Sequence, residues 1–313
     1  MVSGPMVRRA PSLHFKVPLK SEILVRIQAN HNNIFMRYII KYSSARRKFK
    51  KIFGQVNHFL ITSIIGLDYI SKNDVRCPQD LSTVWDPKDK QASISRSREY
   101  LLKMFLASAV DSLDSYFFMI NRTPSILPED LVTIFNDKKN SRSVSAKFMH
   151  IYNRYENVDH LSEYAALIAL AIQWRNNLLH FNSDNSIDAK YIKILESSEQ
   201  FYKENCCGLD VKIMIEHFHS CSSPTFKETT SLIYSIHKFV EIIDASLIND
   251  LDMNIFALKI LKSNKIDLKG IERERAIQKM KSMLKMCGFY EDEFRGLSDQ
   301  DFVEIYDEFM RGV

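Results

Sequence analysis

The 313-residue chain is poor in the residues that interrupt regular structure, with only 8 Gly and 8 Pro. Barrels and sandwiches need many more turn residues, so a mostly helical chain is expected. The 5 cysteines, Cys77, Cys206, Cys207, Cys221 and Cys287, are odd in number and unevenly spaced. That spacing argues against a secreted disulfide framework and makes reduced thiols the expectation. No apolar run reaches the roughly 18 residues that cross a bilayer, and the opening stretch holds no signal-peptide apolar core. A cytoplasmic protein without a membrane role is expected. The sequence contains neither G-x-x-x-x-G-K-[ST] nor G-x-G-x-x-G, and it has no G-x-S-x-G elbow. ATPase, kinase, dinucleotide and serine-hydrolase chemistry therefore lose their usual support.

What the chain does have is apolar surface, 45% of residues, enough to bury a core. Leu161, Tyr164, Ala165, Leu167, Ile168, Ala171, Ile172, Leu178 and Leu179 recur at helical steps. They predict a buried helix of about 22 residues, roughly 33 Å long. Asp159 is placed to cap its start, and the polar run from Asn182 to Ser186 stops it. The helix ends on Trp174-Arg175-Asn176-Asn177-Leu178-Leu179-His180. Asn176 and His180 fall one turn apart on one edge, with Arg175 beside them. Groups of this kind are costly to bury alone, so they pair internally or face a cleft. In the simplest pairing, Arg175 meets a carboxylate of a neighbouring helix and His180 caps the helix end.

The run from Arg175 to His180 resembles the Arg-Asn-x-x-x-His motif of HEPN ribonucleases. The resemblance implies an all-α, HEPN-like four-helix bundle that cleaves RNA without metal or cofactor. Arg175, Asn176 and His180 would then be catalytic. The family also places an acid on the first bundle helix, here the segment from Arg98 to Asn121, where Asp114 is the better match and Asp111 stays open. An imidazole can take the proton of a 2′-hydroxyl or give one to the leaving 5′-oxygen, and its ordinary pKa near 6.5 suits either task. A guanidinium supplies fixed, bidentate charge to a crowded phosphorane. Asn176 can orient His180 or donate to the phosphate. Because one chain offers a single histidine in the motif, a homodimer with a composite site is expected, as in the family.

Around that bundle, assigned to 93–250, lie a basic N-terminal region and linker, 1–92, and a helical C-terminal subdomain, 251–313. His14 to Pro18 and Ile23 to Ile27 suggest short strands. The segment from Arg37 to Lys51 reads as a basic, aromatic helix in which Arg46, Arg47, Lys48 and Lys50 could neutralise RNA phosphates. A solvated helix face and a membrane-surface helix are the other readings of that segment. Ser71 to Arg98 reads as a linker, and helices are expected over 128–135, 143–155, 209–219 and 225–248. Three shorter helices are expected in the C-terminal part. Its acids, Glu291, Asp292, Glu293, Asp299, Asp301, Glu304, Asp307 and Glu308, form either a solvated face or a cover over the basic cleft. Cys206, Cys207, His217, His219 and Cys221 lack the paired knuckles of a zinc site, so no metal is expected.

The expected function is a metal-independent endoribonuclease, a toxin or phage-defence effector acting on structured RNA such as tRNA, with an antitoxin as a further partner. The alternative is a non-catalytic helical module that binds a nucleotide, RNA or a protein.

Overall fold

Two short segments far apart in sequence close the molecule. Strand β1, Arg37–Ile39, pairs antiparallel with β2, Tyr290–Asp292. The pairing is extended by reciprocal backbone bonds between Tyr38 and Leu297, 2.9 and 2.8 Å. This structure is a computed structural model, and it describes residues 37–78, 80, 85–180 and 185–311. The strands expected near residues 14–18 and 23–27 lie outside the described residues. So does most of the polar run expected to stop the Arg175 helix.

The expected basic helix from Arg37 is replaced at its start by β1, and helix α1 begins only at Ser44 and runs to Lys72. The reason is local: Ser43 is extended and its hydroxyl accepts from the N–H of Arg46 at 2.9 Å, which fixes the helix start there. Helix α2 spans Lys90–Ile120, longer than expected, because Asp89 caps it and accepts from Ala92 N–H at 2.9 Å. Then follow α3 (Glu129–Asn136), α4 (Val144–Tyr155), α5 (Leu161–Leu179), α6 (Ala189–Ser197), α7 (Glu199–Asn205) and α8 (Val211–His219). Helix α9 spans Phe226–Asn249 and is opened by a capping box between Thr225 and Glu228. The chain ends in α10 (Met253–Ser263), α11 (Arg273–Met286) and, after β2, α12 (Asp299–Arg311). Among the described residues the fold is therefore all-α apart from one two-stranded ribbon.

Helix α5 runs at the centre. Every residue from Tyr164 to Ile172 is buried, and so is Trp174. A helix apolar all round has to be surrounded, and α2, α4, α6 and α9 all pack against it. Phe49, Phe53 and Leu60 of α1 join the same core, as do Phe256 and Leu261 of α10 and Phe302 of α12. The boundaries expected at 92 and 250 are therefore not gaps in the packing: all described residues fall in one compact unit. The join is also polar. Buried Asp244 of α9 accepts from Ser43 N–H at 2.8 Å, from the Ser43 hydroxyl, and from Tyr116 OH at 3.2 Å. Burial pushes the Asp244 carboxyl above its usual range, and those hydrogen bonds oppose the shift. The start of α1 and the end of α2 are thereby tied to α9.

Candidate active site

Helix α5 leaves the core over its last turn. Trp174 is the final fully buried side chain, anchored by its indole N–H to the Ser222 carbonyl at 3.0 Å. Arg175, Asn176, Asn177 and Leu178 are half-buried, and Leu179 and His180 are exposed. The start of the helix differs from expectation. Asp159 does not cap it; the cap is His160 in the left-handed conformation, φ 59°, without a side-chain cap bond.

The guanidinium of Arg175 is held from two sides. Nη1 donates to Asn176 Oδ1 at 3.0 Å and Nη2 to Asp111 Oδ1 at 2.5 Å. Two of its five N–H donors are used in this way. Its Nε is buried and has no hydrogen-bond partner. The carboxylate on Arg175 is thus Asp111. Asp114, the expected acid, lies about one turn along α2 and is paired with the ammonium of buried Lys147 from α4. That contact is ionic and lacks hydrogen-bond geometry.

Asn176 is committed to Arg175 through its side-chain oxygen, so it does not accept from His180 there. Its backbone carbonyl takes the His180 N–H at 3.0 Å and closes the helix. His180 is the C-cap, with φ −106° and ψ 116°, an extended backbone that ends the helix. Asn177 is a residue whose work the sequence reading missed. Its side chain donates to the Asn185 carbonyl at 2.9 Å and accepts from the Asn185 N–H at 2.8 Å, fixing where the chain re-enters after the motif. The doubled asparagine was the available signal, since Asn and Asp bond backbone near turns.

The four expected phosphate-binding cations behave differently from one another. Arg46 is half-buried and donates from Nη2 to Glu241 Oε1 at 2.6 Å. Burial favours the neutral form of Glu241, but Lys238 and Arg46 prevail and hold its carboxyl below the usual range. Arg46 is therefore a packing cation. Arg47, Lys48 and Lys50 are exposed and form no ion pair among the described residues. Several acids of the C-terminal block are already paired. Glu291 binds Lys285 at 2.7 Å and Tyr38 OH at 3.1 Å, Asp307 binds Arg273 at 2.7 Å, and Asp299 pairs with Lys281. None of these pairs involves Arg175, Asn176 or His180.

The Cys and His cluster does not converge. His217 meets buried Glu228 at 2.8 Å, and burial pushes the Cys206 thiol up to about 11. Among the described residues no group of three His, Cys, Asp or Glu side chains is placed to hold a metal ion. No helix among them is long and apolar enough to cross a membrane. Comparison with protein-family models, with characterised proteins and with solved structures gave no match.

Proposed function

We propose that the chain is an endoribonuclease of the HEPN type, with Arg175 and His180 as its reacting pair and Asp111 as the residue that positions Arg175. One observation carries this reading. A guanidinium is clamped between Asn176 and Asp111 at the point where the central helix leaves the core, and an exposed histidine follows at the helix cap. Over five residues the helix rises about 7.5 Å, a separation at which the two side chains can reach one phosphodiester. His180 moves the proton of the 2′-hydroxyl or of the leaving 5′-oxygen, and Arg175 holds the phosphorane charge. Neither step asks for a metal.

The active species in this reading is a homodimer. Leu179 and His180 are exposed, and Arg175 and Asn176 are half-buried, so the motif lies at the surface of one chain. On α2, Met104, Asp111 and Phe118 recur every seven residues, and both Met104 and Phe118 are exposed. An apolar stripe on each side of the Arg175 partner suits a second copy of the same face, which would bring two His180 to one groove. RNA, with tRNA as the structured example, is the proposed substrate. A toxin or phage-defence setting with an antitoxin belongs to the same reading.

The ion pair of Arg175 with Asp111 also fits a non-catalytic module that keeps the bundle and binds RNA without cutting it. Incubation of RNA with wild type and His180→Ala separates the two. Cleavage by wild type alone, leaving 2′,3′-cyclic phosphate ends in the presence of EDTA, is the expected result. Equal cleavage by His180→Ala, or none by either protein, removes the nuclease assignment.

A further inference from the structure

A cavity of about 540 Å³ opens between the start of α1, the turn after α2 and helices α10 and α11. That volume is in the range of small-molecule sites. Its walls include Ile40, Ile126, Ile248, Phe256 and Ile260, and its mouth carries Arg47, Lys48 and Arg122. No Asp or Glu lines it, and none of the three cations forms an ion pair among the described residues. Arg122 lies over the Phe118 ring at 4.4 Å and Arg47 over the Tyr42 ring at 5.8 Å. These contacts hold the guanidinium groups without neutralising them.

Two further features set positive charge at this mouth. Arg47 and Lys48 sit in the first turns of α1, which has no acid in its first turn. Cations there oppose the helix dipole, and a bound anion relieves the conflict. Gly288, φ +106°, lies against the Arg47 guanidinium, which a Cβ there would displace. A polar fringe of Ser44, Thr123 and Asn264 completes the lining.

We propose that this cavity binds a phosphorylated small molecule of mononucleotide size, its phosphates against Arg47, Lys48 and Arg122 and its body on the apolar walls. Three clustered cations and a helix N-terminus match a multiply charged phosphate better than a single carboxylate. Arg175, Asn176 and His180 are absent from the lining, so its occupancy should not depend on the nuclease reading.

The test uses the full chain with ATP, AMP, inorganic phosphate and laurate as probes in titration calorimetry. Cys287 lines the cavity, while Cys207 and Cys221 are exposed, so each probe is also scored by how it slows alkylation of each thiol. The expected result is saturable binding of ATP or AMP, with Cys287 alkylation slowed several-fold and the other two unaffected. Arg47→Glu with Lys48→Glu should weaken that binding at least about tenfold, or ~1.4 kcal/mol. His180→Ala and the remote surface change Lys138→Glu should leave it intact. The proposal fails if neither nucleotide binds at about 5 mM, some fivefold above the millimolar range where weak specific binding would be seen. It also fails if laurate alone binds, if Cys287 is not protected in wild type, or if Lys138→Glu weakens binding as much as the double reversal.

Discussion

Arg175 and Asp111 meet at 2.5 Å, while Asp114, on the same helix and three residues further on, is taken by Lys147. The two aspartates therefore carry separable duties. Asp111→Ala should lower RNA cleavage about tenfold or more, because a freely moving guanidinium no longer meets the phosphorane in place, and tenfold corresponds to ~1.4 kcal/mol. Asp114→Ala should leave the single-turnover rate near wild type. It should instead reduce stability by about 1–3 kcal/mol, since the buried Lys147 loses its partner. Single-turnover kinetics and urea unfolding of the two variants check the pair.

Asp244 is the acceptor on which three donors from two other helices converge. Asp244→Ala should cost about 3 kcal/mol, because the Ser43 and Tyr116 groups would be left buried without an acceptor. Asp244→Asn keeps one oxygen and should cost less. The ranking is read from urea midpoints at constant slope.

His237 of α9 stacks near Phe53, and its pKa is lowered from 6.5, first by burial and then by Lys238, Lys50 and Arg46, with Glu241 opposing. A depressed histidine is neutral in the fold and takes up its proton more readily when unfolded. It therefore contributes stability above the unfolded value, and that contribution falls away as the pH drops below about 6.5. His237→Gln should flatten the acid side of the stability profile between neutrality and the carboxylate range. Thermal midpoints taken across that window decide it, and an unchanged slope would remove His237 as the cause.

Because Arg46 is spoken for by Glu241, the salt dependence of RNA binding should come from its neighbours. Neutralising Arg47, Lys48 and Lys50 together should lower the slope of log K against log salt by about 2 if each touches a single-stranded phosphate. Arg46→Ala should leave the slope nearly unchanged and weaken the fold instead. Binding isotherms at several salt concentrations separate the two classes.

Much of the helical frame was readable from periodicity. The apolar register from Leu161 to Trp174 marked the central helix, and the helix expected over 225–248 is α9 to within a residue at each end. Elsewhere two local readings competed. Arg37, Tyr38 and Ile39 fit either a helix start or an edge strand, and the partner that decided it, Tyr290 to Asp292, is remote in sequence. Asp111 and Asp114 lie within one turn of each other, so periodicity alone cannot say which faces Arg175. The choice is made by Lys147, whose position on α4 only packing reveals. Arg46 read as surface charge for the same reason, because Glu241 approaches it from α9. The carboxylate-free cavity is assembled from segments spread from Ile40 to Cys287 and has no signature in any one of them.

The ribbon that joins Tyr38 to Leu297 and pairs Arg37 with Asp292 has a consequence in time. About 250 residues separate the partners, and at synthesis rates of 5–20 residues per second the first strand waits roughly 13–50 s for the second. During that interval the helices can form locally and pack, but Tyr38 has no backbone partner at Leu297. The walls that α10 and α11 contribute to the cavity are missing as well. A nascent chain halted before Tyr290 would thus hold the Arg175 clamp already built while its first strand stood unpaired, an edge open to other chains.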